Sequence, residues 1–162
     1  MTNLVGLPSA IGVAPIGQIP GTTTNDNAMA GKVGEYIESI ISSPISLSTS
    51  IQVNLTSISL TAGDWEVSGT VVFGGSATTV VTDQIIGLSK TTGTLPAAGT
   101  TAQSAFVPGA TYTPFATNNP NIFVGPTRFS LSTTTPIYMV VFETFSISTA
   151  TAFGQIRALR IR

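Results

Sequence analysis

Carboxylates are the side chains best suited to chemistry in this sequence, because it contains no His and no Cys. The seven acidic residues are Asp26, Glu35, Glu38, Asp64, Glu66, Asp83 and Glu143. Without an imidazole or a thiol, catalytic triads, cysteine nucleophiles and cysteine-based zinc sites are excluded. Hydrolytic chemistry would therefore depend on a pair of carboxylates.

Asp64 and Glu66 form the best-spaced carboxylate pair. They share one face of a predicted strand and lie about 7 Å apart along it. A polysaccharide-degrading enzyme would place such a pair in an aromatic-lined cleft, but this face continues with Ser68 and Thr70. The pattern favours a solvated polar face. Calcium would need several more oxygen ligands nearby, so we predict no catalytic residue, no metal and no cofactor.

Glu143 is the carboxylate with the most unusual surroundings. It is in phase with the apolar residues of its strand, Met139 and Val141 among them, so the alternation predicts an inward position. A buried carboxylate must be paired or neutral. Arg128 and Arg157 are the candidate partners, and a structural pair is favoured over catalysis.

Three arginines, Arg157, Arg160 and Arg162, end the sequence. Nucleic-acid binding needs a basic field, whereas the chain has a net charge of −1. We therefore predict a salt-bridge network or a cluster around a symmetry axis, with Arg157 and Arg160 at a subunit interface.

The elements that must position these residues are strands. Residues 65–73 alternate strictly between apolar and polar side chains, and residues 137–142 are apolar on both faces, which is typical of a central strand. Seven or eight short strands separated by turns predict an all-β fold, an antiparallel β-sandwich that is jelly-roll-like. A phase change near residues 56–57 predicts a β-bulge.

Two segments depart from this pattern. Residues 25–41 carry apolar side chains near helical spacing and a possible cap at Asn25 or Asp26, but also Gly31 and Gly34, which predicts a short helix, the only one, or a turn-rich segment. Residues 91–125 lack a clear period and are rich in Gly, Pro, Ala and Thr, but they contain four spaced aromatic residues. We expect a packed excursion there, of the kind that often carries function.

An extended N-terminal arm, residues 1–24, precedes the predicted β-sandwich domain, residues 25–162. Three prolines and four glycines exclude a helix or a central strand in the arm. Its apolar residues are unusual for a solvated linker and are predicted to contact another subunit or the arm's own domain: Leu4, Val5, Ile11, Val13, Ile16 and Ile19.

Composition indicates a subunit of an assembly. Charged residues make up 8% of the 162 residues, while 43 are Ser or Thr. Such a surface leaves apolar patches, which usually mark interfaces. No stretch has the roughly 18 apolar residues of a membrane span, and the start lacks the features of a secretory signal. We expect a protein made in the cytoplasm, with no membrane span and no nucleic-acid partner.

Four stretches together carry a resemblance to a known domain. They are residues 24–36, residues 60–65 (Leu-Thr-Ala-Gly-Asp-Trp) with 67–71, residues 127–132 (Thr-Arg-Phe-Ser-Leu-Ser) and residues 154–158 (Gly-Gln-Ile-Arg-Ala). Their order and spacing resemble the β-sandwich domain of tailed-bacteriophage virion surface proteins, of tail-fibre tip and capsid decoration type. The resemblance covers about residues 23–162.

The resemblance implies a non-enzymatic β-sandwich that forms a homotrimer on the virion surface. Because about 24 residues precede the domain here, we favour a capsid decoration (cement) protein or small head spike, anchored to the major capsid protein through its arm. The alternative is a tail-fibre or receptor-binding tip that contacts a host surface receptor through residues 91–125. A polysaccharide-degrading enzyme is the third hypothesis.

Overall fold

The fold was analysed in a computed structural model that describes residues 24–106 and 119–162. Eight strands follow one another along the chain: β1 (Tyr36–Ser46), β2 (Val53–Leu60), β3 (Gly63–Gly75), β4 (Val80–Ser89), β5 (Gln103–Phe106), β6 (Asn121–Leu131), β7 (Thr135–Ser146) and β8 (Ala150–Arg160). Within these ranges no residue is helical.

The strands form two four-stranded antiparallel sheets. The first has the order β1-β8-β3-β6 and the second the order β2-β7-β4-β5. Every connection except that between β4 and β5 crosses from one sheet to the other, and the first strand pairs with the last and the second with the seventh. This arrangement is an eight-stranded jelly roll, which confirms the predicted fold class.

The core lies between the sheets and follows the predicted alternation. On β3, Trp65, Val67, Val71 and Phe73 are fully buried. β7 occupies a central place in the second sheet, between β2 and β4, as its apolar sequence predicts. The bulge in β2 is also present, although the register shifts between Asn54 and Thr56, slightly earlier than the sequence indicated.

The helix predicted over residues 25–41 is wrong. Residues 30–34 form turns instead, where Gly31 and Gly34 adopt φ values of +80° and +92° that a right-handed helix cannot contain. From Tyr36 the chain is a strand, held at its start by Asn27, whose side chain donates to the Tyr36 carbonyl (2.6 Å) and accepts from the Tyr36 amide (2.7 Å). The helical spacing of apolar residues here was coincidental.

The outer face of the second sheet is covered by the first part of the predicted excursion. Leu95 and Pro96 lie over Gly87 of β4, and the amides of Gly93 and Leu95 donate to the side chains of Asn54 (2.7 Å) and Gln52 (2.7 Å). This cover explains why Val140, next to Gly87 in the sheet, is fully buried although it points outward. The predicted excursion is therefore packed at Gly93, Leu95 and Pro96, and its residues 107–118 lie outside the described residues.

Candidate functional site

The Leu-Thr-Ala-Gly-Asp-Trp turn, the most specific part of the resemblance, encloses the guanidinium group of Arg160. Arg160 donates to the carbonyl of Ala62 at 2.9 Å and to the hydroxyl of Thr61. Its Cζ atom lies 4.4 Å from the centre of the Trp65 ring, and the Trp65 indole N–H donates to the Thr61 carbonyl at 2.9 Å. The turn therefore holds one buried cation by hydrogen bonds and by a cation–π contact.

Gly63 makes this arrangement possible. Its φ is +140°, and a Cβ atom at this position would lie 2.0 Å from Nη1 of Arg160. No side chain larger than hydrogen fits between the turn and the guanidinium group.

Glu35 balances the charge of Arg160. The Arg160 Nε–Glu35 Oε2 distance is 3.0 Å, both side chains are buried, and the Gly31 amide donates to the same oxygen at 2.7 Å. The backbones are also joined, because the Arg160 amide donates to the Glu35 carbonyl (2.9 Å) and the Gly34 amide to the Arg160 carbonyl (2.9 Å). This buried pair ties the chain before β1 to the end of β8.

Arg160 was predicted at a subunit interface together with Arg157, and the structure places them differently. Arg160 is inside the domain, whereas Arg157 is exposed on the outer face of the first sheet, where its Nε donates to Ser68 Oγ at 3.1 Å. The six apolar arm residues, from Leu4 to Ile19, lie outside the described residues. The predicted interface stays a prediction.

Asp64 and Glu66 do not share an environment. Asp64 is buried, and its Oδ2 accepts from Arg128 at 2.8 Å and from Arg162 at 2.5 Å, while Glu66 is exposed. Hydrogen bonds from Arg128 and then Ser130 lower the pKa of Asp64 to about 2. Of the three arginines for which a salt-bridge network was predicted, Arg162 binds Asp64 and Arg160 binds Glu35, whereas Arg157 donates to Ser68. Asp64 itself is buried and does not lie on the predicted solvated face.

Glu143 is buried, as its phase in β7 predicts, but its predicted partners are wrong. Gln84, opposite Glu143 in the β4–β7 ladder, donates from Nε2 to Glu143 Oε1 at 2.6 Å. Arg128 and Arg157 lie in the first sheet and bind Asp64 and Ser68 instead. Among the residues that the structure describes, none forms a hydrogen bond with Glu143 Oε2. Burial raises the pKa of Glu143 to about 7, against a smaller opposite effect of the Gln84 hydrogen bond.

The outer face of the first sheet is a surface that the sequence did not reveal. Its β1 and β8 strands expose Tyr36, Ile40 and Leu159. Beside Ile40 runs an apolar groove of about 310 Å³, lined mainly by Ile40, Val72 and Phe153. These residues come from three strands that are distant in sequence, so only the strand order brings them together. In the sequence, Ile40 is the residue that indicates this surface, because in a strand its side chain points to the face opposite Ile37 and Ile41.

Two absences hold for the part of the chain that the structure describes. It contains no cluster of three or more acidic residues that could hold a metal ion. It also contains no helix long and apolar enough to cross a membrane.

Fold and site together define a jelly-roll domain in which Arg160 and Asp64 are buried in ion pairs, and in which the described residues leave the outer face of the first sheet uncovered. The chain is similar to one in the solved structure of infectious bursal disease virus, Gx strain, with 13% identity and a TM-score of 0.50. The match covers 78% of this chain and 32% of the viral chain, so this chain spans about a third of its neighbour's length. At this identity the likeness concerns the fold. No protein-family model matches the sequence, and no curated protein matches it.

Proposed function

We propose that this protein is a non-enzymatic structural component of a virus particle. The observation that carries the proposal is the jelly-roll topology, β1-β8-β3-β6 over β2-β7-β4-β5, an architecture that virus capsids use repeatedly. Its similarity to a chain of a solved virus structure supports the same conclusion. The pairing of the buried arginine and the burial of Asp64 further favour a rigid building unit.

Within that class, we propose a capsid decoration or head-spike subunit of a tailed bacteriophage, located on the virion surface. The resemblance of the 60–65 turn and its companion stretches supports the phage assignment. Copies associate, because a chain with 13 charged residues in 162 gains solubility by burying apolar surface against itself, and the resemblance implies that the assembly is a homotrimer. The arm, residues 1–24, anchors the trimer to the major capsid protein.

Imaging of intact virions tests this proposal. Cryo-electron microscopy combined with quantitative mass spectrometry should find the protein on the head, in multiples of three copies. Absence of the protein from purified particles would refute a virion role, and a location at the tail would refute the decoration role.

The anchoring role of the arm has its own experiment. Replacing Leu4, Ile11 and Ile16 by Ser in the full chain should abolish co-sedimentation with particles that lack the protein, because the apolar contact is lost. The matched control is Ile51→Ser, which alters an exposed isoleucine of the domain. Unchanged co-sedimentation of the arm variant, with an unaltered circular dichroism spectrum, would contradict the anchoring role.

A receptor-binding tip is the second candidate function. Phe106 and Phe123 are both exposed, and they line a concavity of about 440 Å³ with Pro120 and Asn121. Phe106 ends β5 and Phe123 lies near the start of β6, and exposed aromatic side chains held by such a rigid scaffold are suited to binding a host surface receptor. Purified protein that blocks phage adsorption, and a Phe123→Ser variant that does not, would favour this candidate over decoration.

A further inference from the structure

The two sheets of the jelly roll differ in how their outer faces are covered. On the second sheet, Leu95 and Pro96 lie over Gly87 of the outer face, and Val140 beside it is fully buried. On the first sheet, the described residues leave Ile40 58% exposed beside the apolar groove. Covering such an exposed isoleucine and the apolar groove beside it removes apolar area from water, which is favourable. This surface is therefore suited to a contact.

The charges of this outer face balance one another. Glu38 of β1 lies opposite Arg157 of β8, and Glu66 of β3 lies opposite Arg128 of β6. The β1–β8 half thus carries one acid and one arginine. The β3–β6 half carries Glu66 and also Asp64, which binds both Arg128 and Arg162, so acids and arginines are equal in number in each half. A polyanion or an anionic lipid surface needs a positive excess, which this face lacks. A partner whose net charge is near zero is not repelled by this face. Its own acidic and basic residues can each pair with an opposite charge in either half of the face.

The residue types on this face are those of protein–protein contacts. Tyr36, Phe153 and two arginines lie on it, and Tyr, Phe and Arg are enriched at interfaces while Lys is depleted. Neither of the two lysines, Lys32 and Lys90, is part of the face: Lys32 is in the turn before β1 and Lys90 follows β4.

We propose that the outer face of the sheet β1-β8-β3-β6 is a self-association surface, on which a second copy of this chain docks. The apolar centre of the contact is Ile40, Val72 and Phe153, and the charged residues around it fix its orientation. We rely on the proposed function only for the expectation that copies associate. The chain is a fitting partner for this surface because its own net charge is −1.

Photo-crosslinking of the full chain tests this surface directly. The photoreactive residue p-benzoylphenylalanine is placed at position 40 in one variant and at position 51 in another, since Ile40 and Ile51 are 58% and 54% exposed. Position 40 should give a covalent dimer on a denaturing gel and position 51 should not. Crosslinking at both positions equally, at neither, or only within one chain would overturn the proposal.

Sedimentation analysis measures how strongly the copies associate. Ile40→Lys should raise the dissociation constant of the oligomer about a hundredfold or more, because it places an unpaired charge in the contact, whereas Ile51→Lys should leave it within about threefold. Circular dichroism checks that both variants fold. An Ile40→Lys variant that associates like the wild type would refute the surface.

Failure of this surface and failure of the proposed function give different results. If virions contain the protein as trimers and position 40 does not crosslink, the self-association surface is wrong and the virion role holds. If virions lack the protein, the virion role is wrong whatever the crosslinks show.

Discussion

Gln84 and Glu143 face each other inside the core, where Gln84 Nε2 donates to Glu143 Oε1 at 2.6 Å and the second carboxylate oxygen has no hydrogen-bond partner within the described ranges. The pair sits between the sheets near the end that holds the β1–β2 and β7–β8 loops. Ser50 of the β1–β2 loop donates its amide to the Glu143 carbonyl at 2.9 Å. The protonation state of Glu143 therefore bears on the stability of the core.

Stability should fall as pH rises through neutrality. The pKa of Glu143 is about 7 in the folded protein against an ordinary value of 4.5, so folding favours the protonated form. This contribution is complete below about pH 4.5 and is lost as pH rises through about 7, which amounts to a loss of roughly 2–3 kcal/mol between pH 5 and pH 8. Urea denaturation across this range measures it. Glu143→Gln should remove the slope, and Glu66→Gln, at an exposed site, should retain it.

Replacing Arg160 should destabilise the domain strongly. Arg160→Ala leaves Glu35 buried without its cation and Trp65 without its cation–π partner, which we expect to cost about 3–5 kcal/mol in the free energy of unfolding. Arg157→Ala removes an exposed arginine and should cost less than about 1 kcal/mol. Equal urea midpoints for the two variants would show that the buried pair contributes nothing.

A methyl group at position 63 should be far more damaging than one at position 31. Gly63→Ala drives its Cβ into the Arg160 guanidinium group, whereas a Cβ at Gly31 has no atom within 4 Å, although its φ is +80°. Gly31→Ala should therefore cost only the backbone strain, about 1 kcal/mol, and Gly63→Ala several times more. Thermal unfolding of the two variants makes the comparison. A similar loss in both would mean that the turn yields easily around Arg160.

Ile147 is predicted to be a site of stored backbone strain. It adopts φ = 77° with its side chain 78% exposed, a conformation that β-branched residues disfavour and Asn tolerates. Ile147→Asn should therefore raise the free energy of unfolding by about 1 kcal/mol. Ile51→Asn, at an exposed isoleucine without positive φ, should not stabilise. Loss of stability in Ile147→Asn would contradict the strain.

The sequence predicted what depends on alternation within one strand. The buried face of β3 and the inward position of Glu143 both follow from a period of two. The same rule places Arg160 in phase with Ile156 and Ala158, all three of which are buried, so its internal position was available from the sequence as well.

What depends on pairing between strands could not be predicted. Gln84 meets Glu143 only because of the β4–β7 register, and Glu35 meets Arg160 only because β1 pairs with β8. The groove on the first sheet likewise combines residues from β1, β3 and β8. The helix prediction failed for a related reason, since the turns at Gly31 and Gly34 place Glu35 beside a residue 125 positions away.

The pairing of β1 with β8 also has a consequence for synthesis on the ribosome. β1 pairs with β8, and β8 joins it to the β3–β6 pair, so the first sheet stays incomplete until β8 has been translated. Until then β1 is an unpaired edge that neighbouring nascent chains could join. Such non-local pairing also predicts slow folding. The proline and the irregular register within β1 discourage premature pairing of this edge strand.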